Sequence, residues 1–248
     1  MKSKIFLSLI LFACFLNGDV MYEMITTTEG MMGMGSETVT RNFIKGERMR
    51  TEVITKNPVL GEVSSISIVR MDKNLIWLLD EDKKEYSEIS LESEEKIEPI
   101  DTAGIIPEVN IQKCGEKKTI LKLECEKYIV NMKVKSKEDT ITIVQTMWVS
   151  QGIPGYEEIT TFSKRLTTLA QDMKLGELMG IDQKSFSRFR KKISEIEGFP
   201  LETELNFIMT QEEEPFSFKT KSAVTKIDNI PISDRVFEIP TGYKRRQD

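Results

Sequence analysis

Histidine is absent from the 248 residues. That excludes a Ser-His-Asp or Cys-His catalytic arrangement and every histidine-ligated zinc or iron site. Cysteine is scarce, with Cys14, Cys114 and Cys125 the three present, too few for a cysteine-only metal site. Positive charge is in deficit: 35 Lys and Arg stand against 40 Asp and Glu, a formal net charge of −5, which argues against general nucleic-acid binding. A phosphate-cradling glycine loop and a dinucleotide fingerprint are also missing. Acidic pairs such as Asp80-Asp82 and Glu94-Glu95 sit in charged turns without calcium-loop spacing. No enzyme activity, cofactor or metal is expected.

The one long apolar run is N-terminal. The chain opens MKSKIFLSLILFACFLNG, where Lys2 and Lys4 precede an apolar stretch from Ile5 to Leu16 that is too short to span a bilayer. Residues 1–18 read as a secretory signal, and 19–248 as a single domain. Leu11-Phe12-Ala13-Cys14 resembles a bacterial lipobox, which would make Cys14 an acylated first residue. Cleavage after Gly18 is the alternative. Either route implies export to the periplasm or outer membrane of a bacterium, touching the membrane only peripherally or through a lipid anchor. Cys114 and Cys125 remain as mature thiols, and an exported pair permits a disulfide. A tight hairpin turn around Glu116-Lys117 would instead place Cys114 opposite Thr119, so a bridge and two small buried residues stay open as alternatives.

From Val20 onward, short segments rich in Val, Ile, Thr and aromatics alternate with charged or glycine-containing turns, the pattern of an antiparallel meander. Strands are expected at 20–28, 38–44, 49–53, 64–70, 74–79, 85–90, 141–150, 202–210 and 216–227, with a loop or loose helical turn over 93–107. In LECEKYIVNMKV the apolar set moves from Leu123 and Cys125 to Tyr128, Val130 and Met132, and this parity shift predicts a bulge near Glu126-Lys127. A helical insert occupies about 156–198. Ile159, Phe162, Leu166, Leu169 and Met173 mark one amphipathic helix, and Phe186, Phe189, Ile193 and Ile196 mark a second that stops at Gly198. Two such helices find burial by covering the concave face of a curved sheet.

The pieces YEMITTTEGMMGMGSET, FIKGERMR, IWLLDEDKKEYSEI, LECEKYIV, MWVSQGIPGYEEI and FEIPTGY, in that order, resemble an uncharacterised domain family of secreted bacterial proteins. That family is grouped by fold with the LolA/LolB-like periplasmic lipoprotein carriers. The resemblance implies a mainly β fold with α: a strongly curved antiparallel half-barrel covered by two amphipathic helices. It also implies a non-catalytic protein that binds an apolar ligand, a lipid or acyl chain, inside the half-barrel. Trp77, Trp148 and Phe207 are the expected walls, and Phe162, Leu166, Leu169, Phe186 and Phe189 the plug.

Met31, Met32 and Met34 lie among glycines where a hairpin tip is expected. They suit a flexible apolar lip, a copper(I) site built on thioethers, or ordinary packing against their own sheet. The basic run KSFSRFRKK at 184–192 suits anionic headgroups, an acidic partner or a solvated helix face. A scaffold that contacts another envelope protein through either feature is the alternative to ligand binding.

Overall fold

A computed structural model describes residues 18–29, 35–59, 61–91, 108–135, 140–172, 191–210 and 216–246. The leader with Cys14, the tip methionines Met31, Met32 and Met34, the 93–107 region, Met173, Phe186 and Phe189 lie outside the described residues.

The strands are β1 (Val20–Glu29), β2 (Ser36–Lys45), β3 (Arg48–Asn57), β4 (Gly61–Arg70), β5 (Leu75–Asp80) and β6 (Glu85–Ser90). They continue as β7 (Glu108–Ile120), β8 (Leu123–Lys135), β9 (Thr140–Ser150), β10 (Phe199–Thr210), β11 (Phe216–Asn229) and β12 (Lys244–Arg245). Together they form one open curved sheet of 12 strands in the order β12-β6-β5-β4-β3-β2-β1-β11-β10-β9-β8-β7. Two meanders are therefore joined through β1 and β11, which brings the first strand against the last long one. All pairings are antiparallel except the short β12, which runs parallel along β6.

Between β9 and β10 the chain forms α1 (Tyr156–Asp172). Glu157 and Glu158 in its first turn favour the positive end of the helix dipole. Gly155 precedes it at φ +70°, a conformation that disfavours a side chain, and an added Cβ would meet Val20 Cγ2 at 2.0 Å. Helix and strand can therefore close on each other only at a glycine. Two polar ties fix α1 to the β2–β3 turn: the Gly46 N–H donates to Glu158, and Arg165 pairs with Glu47.

Register divides the sheet into two faces. Val20, Ile44 and Val224 turn toward α1 and pack with Ile159 and Phe162, and the half-buried Tyr22, Met49 and Ile227 join them. Phe162 is 2% exposed. On the opposite face Ile66, Ile68, Trp77 and Leu79 are covered by Ile232 and Phe237 of the C-terminal tail. A third cluster on the helix-bearing face joins Tyr128, Val130, Met147 and Val149 to Ile193 and Ile196.

Of the two expected covering helices α1 is described; of the second, residues 191–193 are helical and the rest lies outside the described residues. Two expectations require correction. The hairpin turn falls at Leu121-Lys122, not at Glu116-Lys117, and both residues take left-handed φ, 49° and 65°, as a two-residue hairpin loop with the twist of its strands requires. Gly115 and Glu116 belong instead to an irregularity between Lys113 and Lys117 of β7. The bulge expected near Glu126-Lys127 is thus on the partner strand, opposite Lys127, while β8 pairs continuously with β9.

Candidate functional site

Charge is segregated by register across β4-β3-β2-β1-β11-β10-β9. On β3 the side chains of Arg48, Arg50, Glu52 and Lys56 share the tail-bearing face, while Met49, Thr51, Val53 and Thr55 share the other. The same division holds on β1 and β2, where Glu23, Arg41 and Lys45 lie opposite in sense to Tyr22, Thr40 and Ile44. On β11 Lys219 and Lys221 are separated from Phe218, Thr220 and Ser222. Following each pairing through, no paired residue of these strands on the helix-bearing face is Asp, Glu, Lys or Arg. A half-exposed surface of that extent without charge differs from an ordinary solvent face, where charged residues are placed.

Where α1 crosses this face it leaves a cleft of about 350 Å³, within the size range of small-molecule sites. Tyr22, Ile44, Met49, Ile159, Phe162 and Phe199 give it an apolar lining, to which Thr160 and Ser163 add hydroxyls. The Tyr22 ring meets Phe199 edge-to-face at 5.2 Å, and burial pushes its phenol pKa up to about 12. A larger groove of about 830 Å³ runs along the other flank of α1 toward Ile193 and Ile196. Tyr156, Thr160, Ser163 and Gly198 line both, so the two spaces adjoin around one flank of the helix.

Only part of the expected set converges here. Phe162 and Leu166 line the cleft, Leu166 being 37% exposed. Leu169 lies on α1, and Phe186 and Phe189 lie outside the described residues. Phe207 is on the helix-bearing face farther along β10, stacked on Phe218 at 4.8 Å and edge-on to Phe216. The tryptophans are not with it. Trp77 is buried beneath the tail, its indole donating to Glu88 at 3.0 Å with the Arg70 guanidinium over the ring. Leu75, Trp77 and Leu79 alternate with Ile76 and Leu78, so apolar residues occupy both sides of β5 and register alone decides the face. Trp148 lines a separate groove of about 450 Å³ with Ile25, Glu202, Glu204 and Lys221, and Lys118 Nζ stands 4.5 Å from its ring centroid.

Sequence reasoning overlooked Tyr22, Met49, Tyr156 and Phe199 as lining residues. For Tyr22 and Met49 the signal was available, since each falls in phase with Val20 or Thr51 and out of phase with the neighbouring charges.

Cys114 and Cys125 are free thiols, with no bridge between them. Cys125 stands opposite Lys118 in the ladder, while Cys114 falls in the irregular stretch that breaks the pairing. Cys125 is fully buried, which pushes its thiol pKa up. Among the described residues no group of three or more His, Cys, Asp or Glu is placed to hold a metal ion.

No curated protein matches the chain in sequence. Among solved structures, the crystal structure of LolA superfamily protein NE2245 from Nitrosomonas europaea aligns over 90% of this chain and 91% of its own, at 8% identity and a TM-score of 0.29. So loose a superposition says nothing about ligand or partner. In sequence, the model of a domain of unknown function, DUF4412, matches residues 22–243. That span runs from β1 to the residue before β12, and the chain belongs to the DUF4412 family.

Proposed function

We propose that this protein is a non-catalytic binder of an apolar ligand, a lipid or acyl chain, held between α1 and the helix-bearing face of the sheet. One observation carries the reading: a surface spanning β4 to β9 without a carboxylate, amine or guanidinium, opening at α1 into a cleft lined by Tyr22, Ile44, Met49, Phe162, Leu166 and Phe199. Apolar burial stabilises by roughly 25 cal/mol per Å² removed from water, so a chain laid in such a cleft gains with each methylene covered. The chain has no histidine, and the Thr160 and Ser163 hydroxyls of the cleft have no general base among its lining residues to activate them. Export to the bacterial envelope, as the apolar run at residues 5–16 would direct, accords with a lipid as ligand.

The test is the mass of the protein expressed with its own leader and purified gently from the envelope, recorded native and then denatured. A native excess fitting a lipid or fatty acid supports the reading. Equal masses, together with no uptake of the neutral apolar dye Nile red by the purified protein, overturn it.

A further inference from the structure

The uncharged face is not uniformly apolar. Between the α1 cleft and the Phe207–Phe218 stack lies a belt of hydroxyls on adjoining strands: Thr51 on β3, Thr40 on β2, Thr26 on β1, Thr220 and Ser222 on β11, and Thr203 on β10. Some of these satisfy one another. Thr26 Oγ1 lies 2.8 Å from Ser222 Oγ, and Thr51 donates to the buried Asn42 at 2.8 Å. Thr40, Thr203 and Thr220 make no side-chain hydrogen bond among the described residues, although each is half-buried. A half-buried hydroxyl without a protein partner keeps a donor and an acceptor available to whatever lies above it.

From this belt we infer that the bound amphiphile carries an uncharged, hydroxyl-bearing head group, such as a glycerol ester, and that the site discriminates against fatty-acid carboxylates and phosphate heads. The inference rests on the ligand-binding reading and names the head-group chemistry of the same site. Thr40 is four residues from Ile44 on one strand, roughly 13 Å along the sheet at strand spacing. A chain seated in the cleft at Ile44 and Tyr22 thus brings its head to Thr40, with Thr26 and Ser222 one step further on the next two strands. An anionic head at that position would leave water and find no Lys or Arg among the described strand residues of its own face. Lys219 and Lys221, the nearest cations in sequence to Thr220, project from the other side. A desolvated charge without a partner is disfavoured, whereas glycerol hydroxyls exchange water for threonine hydroxyls.

The experiment displaces Nile red from the full mature chain with 1-monopalmitoylglycerol or palmitate, below their micellar concentrations, at pH 8, where the carboxylate is ionised. The expected result is displacement by the glycerol ester at a concentration at least about tenfold lower, a difference on the order of 1.4 kcal/mol. Thr40→Val should weaken the ester several-fold relative to Nile red, and Thr40→Lys should raise the affinity for palmitate. Equal potency of the two amphiphiles, or a preference for palmitate, overturns the head-group inference and leaves ligand binding standing. Displacement by neither while the dye binds also overturns it. Failure of the dye itself to bind is the separate result that removes the ligand-binding reading.

Discussion

The guanidinium of Arg70, at the end of β4, donates to the carbonyl of Phe237 in the tail at 3.1 Å. The same group pairs with Asp72 at 2.7 Å and Glu238 at 2.6 Å and lies over the Trp77 ring, so one buried side chain binds strand, turn and tail together. Arg70→Met should cost about 2 to 3 kcal/mol, because it leaves the Phe237 carbonyl unpaired while Asp72 and Glu238 recover part of their hydration. Urea denaturation measures it. The pH dependence has a definite sign. The hydrogen bond from Arg70 holds the Asp72 carboxyl below its ordinary value of 3.8. A carboxyl lowered on folding contributes stability that is complete above that value and is lost as pH falls through the lower folded one. The gap between wild type and Arg70→Met should therefore narrow on acidification below about pH 4, and a gap that stayed constant would count against the pairing.

Gly155→Ala should destabilise by on the order of 3 kcal/mol, combining left-handed backbone strain with overpacking against Val20. The Cβ would also stand 2.9 Å from Asn229 Nδ2, so neither neighbour offers a free direction of retreat. Thermal melting of the variant checks this. Gly46→Ala serves as the comparison, because its φ is +58° with no atom within 4 Å of the added Cβ, and it should lose only the strain component.

Much of the first meander was legible because its charges keep strand period. In RMRTEVITK the alternation of Arg48, Arg50, Glu52 and Lys56 with Met49, Thr51, Val53 and Thr55 states both the strand and its two faces. α1 was legible through the three- and four-residue spacing of Ile159, Phe162 and Leu166, and the family through the order of its segments. The β7–β8 turn was not. Leu121 and Lys122 carry no local turn preference, while Gly115 does, and long-range pairing of two 13-residue strands overrode the local signal. Nor did the sequence tell that Ile232 and Phe237 would return across β4 and β5, since that contact joins residues far apart in the chain.

Leu166→Glu separates binding from folding. Leu166 lines the cleft but is 37% exposed, so its replacement should leave the melting temperature within a few degrees of wild type. Nile red uptake should fall by at least about tenfold, because the new carboxylate would sit in an apolar lining without a cation. Unchanged uptake would place the ligand elsewhere.

The thiols differ in the same quantifiable way. Cys125 is fully buried with a raised pKa, while Cys114 is half-buried in the irregular stretch of β7. A disulfide-exchange reagent at pH 8 should label Cys114 in the native protein and reach Cys125 only on unfolding. Failure of both thiols to label after denaturation without a reductant would reveal a bridge.

The two tryptophans report which face the ligand occupies. Trp77 is sealed under the tail by Ile66, Ile68 and Phe237, while Trp148 shares the ladder face of Glu202 and Lys127, opposite in sense to Tyr22, and borders the groove with Glu204, although it also packs at the edge of the α1 cluster. Bromine atoms on an acyl chain quench indole emission at near contact. A brominated monoacylglycerol bound on the helix-bearing face should therefore leave the Trp77 emission of a Trp148→Phe variant essentially unchanged at saturation and quench the Trp148 emission of a Trp77→Phe variant only weakly. A tryptophan placed at Leu166, on the cleft, should be strongly quenched by the same ligand. Strong quenching of Trp148 with little at position 166 would move the ligand to the groove on the tail-bearing face. The charge-free surface would then be a packing surface for the helical insert, its missing charges explained by what covers it.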